Sequence, residues 1–121
     1  PQKALVFYRD AAVAGNVDAQ SAMGTYFYEG SGGVTKDNAA ARQWFEAAAG
    51  HGQKDAMFNL AVMEMKGDGG PKDLVRSWVW FRLAKAKGYA NADTALAALE
   101  RQMSPAEKQA ANEIISPKKA G

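Results

Sequence analysis

The feature that most constrains this chain is an internal repeat of 36 to 37 residues. The segment AQSAMGTYFYEGSGG, which starts at Ala19, returns as AMFNLAVMEMKGDGG, which starts at Ala56. Further along, the dipeptide Trp-Phe at positions 44–45 returns at positions 80–81. Repeats of this length are single supersecondary units, each of which buries its apolar face against the next. The repeat therefore predicts one domain over residues 1–121, built from stacked units.

Two complete copies of the repeat are flanked by partial ones. The complete copies occupy residues 19–55 and 56–91. Residues 1–18 match the second half of a copy, and residues 92–116 match a first half followed by a different segment that is typical of a capping helix. Because the chain begins at Pro1 in the middle of a repeat and without Met, we expect a trimmed or processed start, and the compartment stays open.

Composition indicates that every element is a helix. Ala occurs 25 times, whereas Val, Ile and Thr together occur 12 times. Ala is the best helix former, and β-branched residues are the ones that strands prefer. The predicted fold class is therefore all-α, with short loops that make neighbouring helices antiparallel.

Punctuating residues place the ends of these helices. Gly30 and Gly67 follow the first helix of each copy, where a left-handed residue often ends a helix. Asp37 and Asp73 are positioned as N-caps of the second helices. Near the end, the segment 104–107 (Ser-Pro-Ala-Glu) reads as N-cap, N1 proline and capping box of a last helix through about residue 115. The pattern predicts about seven helices and a frayed tail over residues 116–119.

Charge and rare residue types exclude several classes of function. Fifteen basic against thirteen acidic residues leave a formal charge of +2, which commits no face to nucleic acid. No Cys is present, and His51 is the one His. A catalytic His requires an orienting acid and a nucleophile, and no local motif supplies them. We therefore expect no catalytic residue, no metal, no cofactor and no membrane span, since the apolar stretches are too short for one.

The repeat pattern resembles the Sel-one-like repeat family, which is related to the tetratricopeptide repeats. In copy two, Ala61, Glu64 and Pro71 depart from it, standing where copy one has the small, aromatic and Val positions. The positions of copy one that carry the resemblance are Ala19, Met23, Gly24, Phe27, Gly30, Gly32, Val34, Asp37, Trp44, Phe45, Ala48, Ala49 and Gly52.

The resemblance implies an α-solenoid of antiparallel helix hairpins with a right-handed superhelical twist. It also implies a protein-interaction scaffold, of a kind often found in bacterial complexes and cell envelopes. A location in the periplasm, the cell envelope or the cytoplasm is compatible with it. We expect a protein or peptide partner, no nucleic acid, and a monomer. Some cysteine-rich relatives are associated with β-lactam hydrolysis or binding, which gives an alternative function, and a purely structural fragment of a longer array is another. The cysteine pattern of those relatives is absent from this chain.

The same resemblance places the partner on the concave face, which the first helices line. Removing the core positions of copies one and two leaves the residues beside the core stripe, and eight of these are the candidates. Three of them, Asn59, Val62 and Lys66, recur at intervals of three and four, as residues on one helix face do. The alternative is that Phe58 and Met65 pack against neighbouring helices and that Asn59 braces the array. The predicted partner-binding residues are Thr25, Tyr28, Glu29, Phe58, Asn59, Val62, Met65 and Lys66.

The remaining large and charged residues receive structural assignments. Gly24 is expected to be small because the second helix of its own hairpin lies close to it. Trp-Phe at 44–45 and at 80–81 is expected to fill the gap between hairpins. Arg42 and Arg76 are expected on the outer face, where Trp78, which stands at the position of Arg42 in copy two, is the alternative partner anchor.

Overall fold

Seven α-helices and no strands make up residues 2–116, the part of the chain that a computed structural model describes. Residues 117–121, which include most of the tail expected to fray, lie outside the described residues. The helices are α1 (Gln2–Val13), α2 (Val17–Glu29), α3 (Asn38–Gly50), α4 (Lys54–Lys66), α5 (Leu74–Ala86), α6 (Ala92–Gln102) and α7 (Pro105–Ile115).

Local capping explains where these helices begin and end. The Asp37 and Asp73 side chains accept hydrogen bonds from the third residue of α3 and α5, as the sequence predicts. Gly30 and Gly67 follow α2 and α4 with φ of 68° and 79°, the left-handed conformation that favours glycine. The capping box of Ser104 before α7 is also present. The sequence therefore located five helix boundaries from side-chain chemistry alone.

The helices pack as two hairpins, α2–α3 and α4–α5, with α1 and α6 adjoining them on either side. Each helix contacts the next in the chain as far as α6, and α7 folds back onto α5. The first helices of the two hairpins, α2 and α4, also contact each other. These contacts follow the chain order, which is the arrangement of a helical-repeat solenoid.

Close packing inside the first hairpin depends on a glycine. A Cβ atom at Gly24 of α2 would lie 2.6 Å from the ring of Phe45 on α3, which is far inside normal contact distance. Ala61, the equivalent residue of α4, is fully buried in the second hairpin. The expectation that Gly24 is small because α3 lies close to it is therefore confirmed.

The aromatic pairs divide the packing differently from the sequence prediction. Phe45 and Phe81 are 1% and 0% exposed, and each lies in the centre of an apolar cluster. Trp44 and Trp80 are partly exposed and pack against the margins of these clusters. Adjacent residues on a helix point about 100° apart, so only one of each pair faces the core directly. The phenylalanines therefore fill the core, and the tryptophans pack at its margins.

Candidate functional site

The predicted binding residues lie on α2 and α4, the first helices of the two hairpins. Six of them are partly buried, and Glu29 and Lys66, at the ends of these helices, are exposed. We call the eight residues together the first-helix face. Its partly buried members are Thr25, Tyr28, Phe58, Asn59, Val62 and Met65.

Three residues of the first-helix face come together between the two hairpins. Tyr28 from α2 and Asn59 and Val62 from α4 line a notch of about 30 Å³, whose other walls are Phe45 and Met63. A volume of this size holds one water molecule or one methyl group. The notch therefore cannot hold a small-molecule ligand, but it can receive a single group from a surface laid across both helices.

Tyr28 is held in place by a lysine from the loop that follows its helix. The Lys36 ammonium lies 4.7 Å from the centre of the Tyr28 ring and donates a hydrogen bond to the Tyr28 carbonyl oxygen. An ammonium over an aromatic face is attracted by the ring quadrupole. This contact restrains the Tyr28 ring, and a restrained ring loses less conformational entropy on binding.

Phe58 and Met65 make contacts that belong to packing. The Phe58 ring stacks on Tyr89 at 4.4 Å and meets Phe81 edge-on at 5.2 Å. Met65 packs against the cluster that α4, α5, α6 and α7 share. Burial raises the pKa of the Tyr89 phenol, and the nearby carboxylate of Asp55 raises it further. Phe58 and Met65 therefore have the packing neighbours that the alternative interpretation of the sequence predicts.

Arg42 does not lie on the outer face, which corrects the sequence expectation. Only 7% of this residue is exposed. Its guanidinium donates hydrogen bonds to the carbonyl oxygens of Pro71 at 2.8 Å and Asp68 at 3.3 Å, both in the α4–α5 turn. Arg42 therefore reaches from α3 of one hairpin into the turn of the next and holds the two hairpins together.

Glu64 is the charge partner of Arg42 and lies on α4. Its side chain is 1% exposed, and its Oε2 lies 2.7 Å from Arg76 Nε and 3.6 Å from Arg42 Nη2. Burial raises the pKa of the Glu64 carboxyl, although both arginines oppose the shift. The same contact raises the pKa of Arg76. The other carboxylate oxygen, Glu64 Oε1, is buried without a hydrogen-bond partner.

These charged residues surround a cleft, which we call the turn cleft. It has a volume of about 400 Å³ and opens between α3 and the turn of residues 69–71. Its charged lining consists of Arg42, Glu46, Glu64, Asp73 and Arg76. Arg76, unlike Arg42, is half exposed, so the outer-face expectation holds for it in part.

Sequence reasoning missed the turn cleft, although a signal was present. Glu64 stands where copy one has the aromatic Phe27, and Arg42 stands where copy two has Trp78. Each departure taken alone looks like local variation. Taken together, two opposite charges replacing large side chains on adjoining hairpins indicate a buried ion pair.

Trp78 also lies in a different place from the one expected. It is 5% exposed, so it is not an anchor on an outer surface. Its Nε1 donates a hydrogen bond to Glu100 Oε2 at 3.0 Å, and the Arg82 guanidinium lies 5.3 Å from the ring. Trp78 therefore joins α5 to α6.

His51, the one His of the chain, contacts the backbone of its own helix. The exposed His51 ring has Nδ1 2.9 Å from the Ala47 carbonyl oxygen, at the end of its own helix. Within this part of the chain, no group of three or more His, Asp or Glu side chains is arranged to hold a metal ion. None of the described helices is both long enough and apolar enough to cross a membrane.

Comparison with known proteins gives consistent results. The profile of the family described as "Sel1 repeat" matches residues 17–53 and again residues 54–89. Among curated proteins, mouse "Protein sel-1 homolog 2" is 39% identical over 71 residues, which cover 59% of this chain and 10% of the mouse protein.

Two solved structures share the fold. The first is c5321, a protective antigen of uropathogenic Escherichia coli strains with an SLR fold, at 30% identity and a TM-score of 0.86. The match covers 95% of this chain and 24% of c5321. The second is a Sel1 repeat protein from Oxalobacter formigenes, at 34% identity and a TM-score of 0.75, with 78% of this chain and 71% of that protein covered. This chain thus spans a tenth of the mouse relative and about a quarter of c5321.

Proposed function

We propose, because this chain belongs to the Sel1 repeat family, that it is a scaffold that binds a protein partner through its first-helix face. The family match confirms the resemblance drawn from the sequence, and the two structural neighbours confirm the all-α solenoid. The fold is that of a helical-repeat scaffold, which generally serves protein interaction. Both solved neighbours are bacterial, which favours a bacterial origin for this chain as well.

One observation carries the proposal: residues from two different repeats line one notch on the first-helix face. Tyr28 of α2 lies beside Asn59 and Val62 of α4, and all three keep part of their surface exposed. A partner that spans both helices would contact an aromatic ring, an amide and an aliphatic group within one small area. Aromatic anchors at the centre of an interface carry much of the binding energy.

The chemistry of the face suits a peptide or helix. The Asn59 amide can donate to and accept from a peptide group, and the Tyr28 ring offers a rigid apolar surface. The exposed Glu29 and Lys66 end α2 and α4 with opposite charges, and exposed charges of this kind favour one orientation of the partner. A phosphate-rich ligand would find neither a cluster of cations nor a helix N-terminus at the notch.

The double variant Tyr28→Ala with Asn59→Ala tests the proposal. We expect the affinity for a partner, once captured from the source cell and purified, to fall about 30-fold or more, since such an anchor contributes about 2 kcal/mol. Phe58 is left unchanged because its contacts with Tyr89 and Phe81 make its truncation a folding defect.

The matched control is Gln43→Ala with Lys108→Ala, two exposed residues on α3 and α7. Arg42 and Arg76 are unsuitable as controls because both contact Glu64. Calorimetric titration should give wild-type affinity for the control pair. A control pair that abolishes binding, or a Tyr28/Asn59 pair that leaves it unchanged, would place the interface on another face.

The scaffold is further proposed to have no catalytic activity. The serine β-lactamase spacing Ser-x-x-Lys is met by Ser116 and Lys119 at the end of the chain, and Lys119 lies outside the described residues. A nitrocefin assay on the purified protein should show no hydrolysis above buffer. Turnover that disappears in Ser116→Ala would establish the alternative enzymatic function.

A further inference from the structure

The turn cleft combines a cavity with an excess of acceptors. Its volume of about 400 Å³ exceeds that of an amino-acid side chain, and it opens to solvent beside the α4–α5 turn. Three carboxylates, those of Glu46, Glu64 and Asp73, outnumber the two guanidinium groups that line it. The balance of formal charge in the cleft is therefore negative, although the whole chain carries a formal charge of +2.

Glu64 at the base of the cleft is incompletely satisfied. It is a buried carboxylate whose Oε2 takes both arginine contacts, whereas its Oε1 has no hydrogen-bond partner. Leaving a buried charged acceptor unpaired costs more than leaving a neutral one unpaired. An additional hydrogen-bond donor, and a positively charged one above all, would relieve that cost.

The two arginines differ in how firmly they are held. Arg42 is buried and donates to two turn carbonyls as well as facing Glu64, so it is fixed. The Arg76 side chain is 54% exposed and touches Glu64 through Nε. The Arg76 side chain therefore extends towards solvent, and a guanidinium from outside that took its place would restore the counter-charge that buried Glu64 loses.

We propose that the turn cleft binds a basic side chain of a protein partner, with the partner's guanidinium displacing Arg76 from Glu64. An arginine fits this role because its planar group is weakly hydrated and offers several donors in a fixed geometry. That the side chain comes from a partner rests on the proposed scaffold function. The preference of the cleft for a cation rests on the charges and the unpaired Glu64 oxygen alone.

An anionic group is the poorer occupant of this cleft. It would bring further acceptors to a place where an acceptor is already unpaired, and the carboxylates of Glu46 and Asp73 would repel it. Arg42, the fixed cation, already uses its guanidinium on the Asp68 and Pro71 carbonyls.

The test uses N-acetyl-L-arginine amide as the probe and N-acetyl-L-citrulline amide as its neutral counterpart. Amide chemical shifts of Gly69 and Gly70, which line the cleft, report binding in ¹H–¹⁵N NMR titrations. We expect saturable shifts with the arginine probe and at least tenfold weaker binding of the citrulline probe. Inorganic phosphate should cause no saturable shift at these glycines.

Two variants move the affinity in opposite directions. Glu64→Gln removes the charge and should weaken binding of the arginine probe at least tenfold. Arg76→Ala removes the internal competitor and should strengthen it several-fold, an effect that a purely structural role for these residues does not produce. The matched control is Glu100→Gln, the equivalent carboxylate on α6, which should leave the affinity unchanged.

Weaker binding in Arg76→Ala, unchanged binding in Glu64→Gln, or equal binding of the two amide probes would each overturn the proposal. Thermal melts of every variant establish that it is folded. If Glu64→Gln does not fold, Arg76→Ala, at a half-exposed position, still decides the question. Because no partner protein enters this experiment, its failure is distinct from a failure of the first-helix face to bind.

Discussion

We call the contact between the second helix of one hairpin and the first helix of the next a joint. Two of these joints use equivalent positions of the repeat for different kinds of contact. In the first joint, Arg42 of α3 reaches Glu64 of α4. In the second, Trp78 of α5 donates to Glu100 of α6. Both partners are offset by 36 residues, so the two contacts are equivalent in the repeat. The architecture fixes which positions meet, and the sequence decides what kind of contact they make.

The two joints differ in how much water reaches the carboxylate. Glu64 is buried beside the α4–α5 turn, whose Asp68 and Pro71 carbonyl oxygens also accept hydrogen bonds from Arg42. Glu100 is exposed, because α6 is followed by the start of α7 and not by a glycine-rich turn. Burial makes the loss of a charged partner costly, and exposure makes it cheap.

At a third joint, near the beginning of the chain, neither of the two equivalent residues is charged. The equivalent positions there are Leu5 of α1 and Phe27 of α2, which both pack against the cluster around Met23. An apolar pair, an ion pair and an indole–carboxylate pair thus occupy the same place in successive joints. The charged pair is one solution among several, and it is the one that leaves a cleft and an unpaired oxygen beside it.

The largest expected loss of stability comes from removing the buried phenylalanine ring on the second helix of each hairpin. Phe45→Ala and Phe81→Ala should each lower the free energy of unfolding by about 3–5 kcal/mol, because both rings are fully buried. Trp44→Ala should cost less than Phe45→Ala, since Trp44 is partly exposed. Urea denaturation measures all three variants. A Trp44 variant as unstable as the Phe45 variant would show that the core is assigned to the wrong ring.

Replacing the equivalent carboxylates should cause a different loss of stability at each of the first two joints. Glu64→Ala leaves Arg42 buried without its counter-charge and should cost about 3 kcal/mol. Glu100→Ala removes an exposed acceptor from Trp78 Nε1 and should cost about 1 kcal/mol or less. Chemical denaturation of the two variants gives the comparison directly. Equal losses would mean that burial does not distinguish the joints.

A smaller effect should appear inside the hairpins. Gly24→Ala places a methyl group 2.6 Å from the Phe45 ring and should destabilise the protein by about 2 kcal/mol through overpacking. Ala61→Gly makes the reverse change in the second hairpin and should cost about 1 kcal/mol through helix propensity. Thermal melting of both variants tests this asymmetry, and a more stable Gly24→Ala variant would contradict the close approach of α3.

Local chemistry explains why much of the fold is predictable from the sequence. The ends of α2 and α4 follow from Gly30 and Gly67, because glycine alone adopts the left-handed conformation without strain. These two helices begin at Val17 and Lys54, two residues before the repeat copies that start at 19 and 56. Asn16 and Gln53 cap them, and Gln is a less typical capping residue than Asp or Ser.

The site was harder to predict because it depends on contacts between hairpins. The sequence does not give the rotation of α3 about its axis, so it does not show that Arg42 faces inward beside Phe45. The contact of Arg42 with Glu64 joins residues 22 positions apart on different hairpins. For the same reason, the sequence pattern assigned Phe58 and Tyr28 to one binding face. Phe58 instead stacks on Tyr89, which follows α5 in its own hairpin.

The most direct test of the account is a pair of double-mutant cycles on the equivalent contacts. One cycle combines Arg42→Leu with Glu64→Phe, which reproduces the apolar Leu5–Phe27 pair of the third joint, and the other combines Trp78→Phe with Glu100→Ala. The account predicts a coupling energy of at least about 2 kcal/mol for Arg42 with Glu64 and below about 1 kcal/mol for Trp78 with Glu100. Additive losses at Arg42 and Glu64, or stronger coupling at Trp78 and Glu100, would contradict it.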